Sequence, residues 1–152
     1  MNIKGIISAS LSILNQDLSL DIDSTIKHSE KLIQDGCHGC VLFGSTGQAQ
    51  LISSDEKKRL IEKLSGSEFK KNFIIGTGNN SLKENIDLMK HGIKHGLEHF
   101  LLMPPAYYKY DDSGVHYFFS KVIQQVPSAK IICYNFEKLS GYKFSIKIVE
   151  NL

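Results

Sequence analysis

Five short apolar runs, each followed by a stretch of helical period, constrain this chain more than any other feature. The runs cover residues 3–9, 39–43, 72–76, 99–103 and 130–134. They are near-continuous rather than alternating, as strands are when both faces of a sheet are covered. Asp23 is expected to cap a first helix, which carries Ile26, Ser29, Leu32 and Ile33 on one face and stops at Gly36. Capping boxes at Ser53-x-x-Glu56 and Ser81-x-x-Glu84 open two more helices, burying Leu60, Ile61 and Leu64, then Leu82, Ile86, Met89 and Ile93. A fourth helix carries Val115, Phe118, Phe119, Val122 and Ile123, and Ser145 caps a short last one. No linker or low-complexity run interrupts the series, so residues 1–152 read as a single α/β domain with a parallel sheet.

Composition excludes several classes of function. The 18 Lys+Arg are scattered among 16 Asp+Glu, and without a basic stripe nucleic acid is not expected as a partner. No apolar run approaches membrane-spanning length and none resembles a signal peptide, so no membrane partner and a cytoplasmic location are expected. Cys37 and Cys40 form a C-x-x-C, but the pair straddles a helix-to-strand junction and lacks further zinc ligands. Both are read as buried small apolar residues. His91 and His95 stand four apart on a helix without an acidic partner in the sequence, and are read as solvated surface, so no metal site is expected.

Two architectures accept five strand–helix units. A flavodoxin-like doubly wound sheet is complete at about 150 residues, whereas a (β/α)8 barrel needs about 250 and would be present here only as its first five units. The doubly wound fold spends the loop after its first strand on a phosphate, yet residues 11–17 contain no glycine. Gly76-Thr77-Gly78 has Ser81 where a third glycine would complete a dinucleotide fingerprint, and reads as a strand-end turn.

The motifs favour the barrel. Gly44-Ser45-Thr46-Gly47, Gly76-Thr77-Gly78-Asn79-Asn80-Ser81, Pro104-Pro105-Ala106-Tyr107-Tyr108-Lys109, Tyr134-Asn135 and Ser140-Gly141 occur in order. Together they resemble the N-acetylneuraminate lyase and dihydrodipicolinate synthase family, class I pyruvate-dependent aldolases on a (β/α)8 barrel. The resemblance implies a carbon–carbon lyase that acts on a 2-oxo acid through a lysine Schiff base, without a cofactor, as a homo-oligomer when full length. It implies that Ser45 and Thr46 bind the pyruvate carboxylate and that Tyr134 shuttles a proton. It further implies that Tyr107, or its neighbour Tyr108, is the tyrosine inserted into an adjacent subunit's site, where it hydrogen-bonds a hydroxyl of the Gly44–Gly47 turn and completes a relay with Tyr134.

Departures from the family pattern carry information. Gln48 stands for the usual Glu and Glu137 for a usual Pro, while Leu139 occupies the position of an arginine that grips a second carboxylate in the dihydrodipicolinate synthase branch. Leu139, and Ser45 in place of that branch's Thr, point to N-acetylneuraminate lyase or a 2-keto-3-deoxy-sugar-acid aldolase; dihydrodipicolinate synthase stays as an alternative, with Lys138 beside Leu139. The Schiff-base lysine of the family belongs to strand six, roughly 30 residues past Tyr134, and every lysine present precedes it. A third reading is therefore a catalytically inactive carboxylate-binding or interaction module.

Overall fold

Strand β1 (Ile7–Ala9) pairs with β2 (Gly39–Leu42), which pairs in turn with β3 (Phe73–Gly76), β4 (His99–Leu102) and β5 (Lys130–Cys133), all parallel and in chain order. The computed structural model describes residues 3–152. An order without a reversal point excludes the doubly wound alternative, because that fold turns back on itself where its ligand binds. Same-handed crossovers between sequential strands place every connecting helix on one side of the sheet.

Register assigns the two faces. Leu42, Ile75, Phe100 and Ile131 are in line across four strands and face the helices, with Cys40, Phe73 and Leu102 in the same core. The intervening row is Ala9, Val41 and Ile74 on the first three strands, continued by Gly76, Leu101 and Ile132. The strands are shorter than the apolar runs, but the ladder continues past them. Ser10, Thr77 and Tyr134 each donate an amide to the neighbouring strand, at 2.9, 3.1 and 2.8 Å. Those bonds fix where the strand-end side chains emerge.

Four long helices cover the outer face: α1 (Ile22–Gln34), α2 (Ser54–Leu64), α3 (Leu82–Lys94) and α4 (Asp112–Gln125). The cap of α1 is Asp21 rather than Asp23, since Asp21 is extended and its carboxylate accepts the Ser24 amide at 2.9 Å. Asp23 lies in the first turn, where its charge favours the helix dipole, and pairs with Lys63. The wholly buried residues of α1 are Thr25 and Ser29, with Ile26, Leu32 and Ile33 only partly covered. Ser29 Oγ meets Ser10 Oγ at 2.7 Å, so small hydroxyls let this helix approach the sheet.

Both bonds of the capping box of α2 are made; at α3 the Ser81 side chain accepts the Glu84 amide. Glu56 also accepts the Leu20 amide at 2.8 Å, tying the loop after β1 to α2. On α4 the expected face is buried except Ile123, which is 37% exposed. After β5 the chain makes a four-residue helix, α5 (Glu137–Ser140), that the sequence pattern does not announce, then α6 (Ile146–Glu150) capped by Ser145. Cys40 is buried and burial pushes its thiol pKa up, which disfavours a reactive thiolate. Cys37, expected to be buried, is only half-buried. No helix among the described residues is long and apolar enough to cross a membrane.

Two contacts hold the strand ends in place. Phe43, just past β2, has a left-handed backbone (φ 58°), and its carbonyl oxygen would be 2.0 Å from a Cβ added at Gly76. Only glycine permits that approach. Lys57 on α2 is fully buried, donates to the Thr77 carbonyl at 2.7 Å, and sits 5.9 Å from the Phe43 ring centroid. Burial lowers the pKa of its ammonium from 10.5 to about 8, against an opposing pull from Glu84.

Gly76→Ala should therefore destabilise the chain by on the order of 3 kcal/mol or more. Gly66→Ala, where the nearest atom is 3.8 Å away, should stay within about 0.5 kcal/mol; chemical denaturation of the two variants checks both. Lys57 makes a second prediction. Below its folded pKa the native state bears the whole cost of burying the charge, and this cost is relieved as pH rises from about 8 to 10.5. Relative to Lys57→Met, the unmodified chain should gain about 3 kcal/mol over that interval, measured as the difference between the two unfolding free energies.

Candidate functional site

The site is built where β2 and β5, three places apart in the sheet, release their last side chains. After Phe43 the chain turns through Gly44-Ser45-Thr46-Gly47, closed by Gln48 N–H donating to the Ser45 carbonyl at 3.1 Å and Ala49 N–H to the Gly44 carbonyl at 3.2 Å. Ser12 Oγ donates to the Gly47 carbonyl at 2.6 Å, and a Cβ at Gly47 would lie 3.0 Å from the Ser10 carbonyl oxygen. The turn is thus clamped against the end of β1. Gln48 follows in the left-handed region (φ 51°). Left-handed conformations at Phe43 and Gln48 cost of order 1 kcal/mol or more each, and the packed surroundings impose them.

This clamping brings two of the expected residues together. Ser45 Oγ and Tyr134 Oη are 3.0 Å apart and hydrogen-bonded, although 89 residues separate them. The Tyr134 amide is held by β4, and its ring lies against Phe136, with centroids 5.7 Å apart. Ser45 and Tyr134 line a cavity of about 320 Å³ with Phe43, Gln48, Gly76, Leu101, Met103 and Leu139. That volume suits a small ligand. No charged side chain lines it among the described residues.

Thr46 and Tyr107 stand elsewhere. Thr46 is exposed and outside the cavity wall, one residue from Ser45. Among the described residues the amides of Ser45 and Thr46 make no hydrogen bond, leaving two adjacent donors open at the mouth. Tyr107 is 88% exposed, has a left-handed backbone (φ 81°), and meets Tyr108 edge to face at 4.9 Å. It does not reach the Ser45–Tyr134 pair within this chain. The loop carrying it is anchored by Asn80, whose side-chain oxygen accepts the Ala106 amide at 2.8 Å.

Sequence reasoning missed one contributor and the short helix that delivers another. Lys57 supports the turn from behind, and its signal was legible: residues 57, 60, 61 and 64 form one helical stripe, and all are buried. Leu139 reaches the cavity wall by way of α5, while Lys138 beside it is exposed and does not line the cavity. No local pattern announced that short helix.

Comparison with known proteins places this geometry. A model of the dihydrodipicolinate synthetase family matches residues 2–152. A 4-hydroxy-tetrahydrodipicolinate synthase of Rhizobium meliloti (strain 1021) is 31% identical over 150 residues, covering 98% of this chain and 51% of that protein. The crystal structure of dihydrodipicolinate synthase from Agrobacterium tumefaciens str. C58 superposes with a TM-score of 0.88 at 26% identity, covering 97% of this chain and 53% of that one. A prophage protein of the dihydrodipicolinic acid synthase family from E. coli K12, solved in complex with pyruvate, superposes with a TM-score of 0.89 at 25% identity, over 99% and 51% of the two chains. The chain spans about half the length of the curated relatives it matches, and its five strand–helix units correspond to the N-terminal part of a (β/α)8 barrel. Its parallel sheet in chain order, its clamped Gly-Ser-Thr-Gly turn and the family match over residues 2–152 make it a member of the dihydrodipicolinate synthetase family.

Proposed function

We propose that this chain supplies the carboxylate-binding turn and the proton-relay tyrosine of a class I aldolase that releases or condenses pyruvate. The observation that carries the reading is the 3.0 Å hydrogen bond between Ser45 and Tyr134 at the wall of an uncharged cavity. In this reading the open amides of Ser45 and Thr46, with their hydroxyls, meet the carboxylate of a 2-oxo acid. Several neutral donors bind an anion there without placing a competing cation at the reacting carbon.

A lysine amine then condenses with the 2-oxo carbonyl, forming the C=N bond and releasing water. The substrate hydroxyl beyond the breaking C–C bond gives up its proton and that half leaves as an aldehyde while the iminium accepts the electron pair; the enamine that results takes up a proton before water regenerates the amine and frees pyruvate. Tyr134 is the group placed to move protons between substrate oxygen and nitrogen, with Ser45 continuing the relay. Tyr107 fits a relay partner in a neighbouring subunit, because its exposure leaves its phenol available to another chain.

Leu139 bears on the substrate class. An apolar side chain lines the cavity where the dihydrodipicolinate synthase branch places its carboxylate-binding arginine. That favours a sugar-acid substrate of the N-acetylneuraminate or 2-keto-3-deoxy type over condensation with a second carboxylated partner. The second reading, a carboxylate-binding module without imine chemistry, rests on the same uncharged cavity and the open amides of Ser45 and Thr46.

Borohydride reduction in the presence of pyruvate separates the two readings. The isolated chain should bind pyruvate and gain no reduced adduct, whereas an active form of the protein should gain one on a lysine, read by mass spectrometry. Absence of an adduct in every form would establish the module and sink the aldolase. In an active form, Tyr134→Phe should lower kcat by about 10²-fold or more with pyruvate affinity nearly retained, by steady-state pyruvate release. Ser45→Ala should weaken pyruvate binding by about tenfold or more, the loss of one charge-assisted hydrogen bond, followed by ligand-observed NMR. Unchanged affinity in Ser45→Ala and Thr46→Val would place the carboxylate elsewhere.

A further inference from the structure

We propose that Glu62, His91 and His95 form a site for a zinc-class divalent metal ion that staples α2 to α3 on the outer helical layer. The sequence shows a His pair one helical turn apart and no third ligand; the fold brings Glu62 of α2 to it. One potential ligand atom from each residue lies within 4.8 Å of the other two. His91 Nε2 is 3.2 Å from Glu62 Oε1, and the two imidazole centroids are 4.6 Å apart.

His91 is the informative member. Its side chain is 20% exposed, yet its Nε2 is buried and makes no hydrogen bond, since the short approach to Glu62 lacks hydrogen-bond geometry. A buried nitrogen set beside a carboxylate but off the hydrogen-bonding line is placed as two ligands are around a shared ion, which lies to one side of the line joining them.

The wider electrostatics fit a cation. Glu62 and His91 sit in the last turns of their helices, and His95 is the C-cap of α3. The partial negative charge of two helix C-termini therefore converges there. Two imidazoles and a carboxylate select zinc, nickel or copper over calcium or magnesium. Tetrahedral coordination at about 2.0–2.2 Å places the ligand atoms roughly 3.4 Å apart; Glu62 and His91 already stand at 3.2 Å, and the adjustment falls on His95, at the end of α3. Three protein ligands leave a fourth position for water. The site lies just before β4, at the opposite end of the sheet from Ser45 and Tyr134, where barrel features serve stability.

Titration of the chain with zinc, by calorimetry and by the ligand-field absorption of cobalt as a surrogate, tests the site. The expected result is one equivalent bound and a thermal unfolding midpoint that rises with zinc concentration. His95→Ala and Glu62→Gln alter accessible side chains, and each should weaken binding by about tenfold or more. Cys40→Ser should leave it unchanged. No bound zinc, or full binding retained in a His91→Ala/His95→Ala double variant, would overturn the proposal. So would loss of binding in Cys40→Ser with the histidines intact, because the ion would then belong to the C-x-x-C.

Discussion

The close approach of the Phe43 backbone to Gly76 is the constraint on which the mouth of this sheet depends. A carbonyl held where a Cβ would otherwise stand requires glycine at position 76, and the residue that supplies it, Phe43, has a left-handed backbone. Once both are present, the chain leaving β2 is directed into the Ser45–Thr46 turn and toward Tyr134. Lys57 supports the same junction from the helical side by holding the Thr77 carbonyl. A buried ammonium whose hydrogen-bond partner among the described residues is one carbonyl is an expensive support, and burial accordingly lowers its pKa to about 8. Strain and buried charge thus concentrate beneath the candidate site, where a strained backbone can hold a functional geometry.

Around that junction the rest is ordinary parallel-sheet construction. The row of Leu42, Ile75 and Phe100 meets the buried faces of α2, α3 and α4 in one apolar core. The other row, from Val41 through Leu101 to Tyr134, leads to the cavity. The candidate cavity and the apolar core are therefore divided between the two faces of the same strands. A substitution in the outer row acts through packing; one in the inner row acts on the cavity.

The reach of the sequence differed by element. Helices opened by a serine and a glutamate three residues on were legible because the capping groups are local, and α2 makes both bonds. Asp23 was misleading because two aspartates flank the start of α1, and the choice of Asp21 rests on an extended backbone that composition does not reveal. The helix α5 went unseen because four residues are too few to show a period. His91 and His95 read as a solvated pair because Glu62, their neighbour, lies on a different helix.

By itself the sequence determined the alternation of strand and helix, the parallel sheet, and the identity of the turn and tyrosine that meet at its mouth. The alternation and the sheet follow from apolar runs, caps and glycine positions, all set by near neighbours along the chain, while the turn and the tyrosine are marked by their resemblance to the family's motifs. Tertiary structure decided strand order, which the strand–helix pattern left open between a barrel arc and a doubly wound sheet and the family motifs only implied, because order depends on which edge each crossover returns to. It also decided that Ser45 reaches Tyr134 while Tyr107 stays outside, that Leu139 rather than Lys138 lines the cavity, and that Lys57 is buried. Each of these depends on distances between segments far apart in the chain, and such distances exist only once the strands have paired.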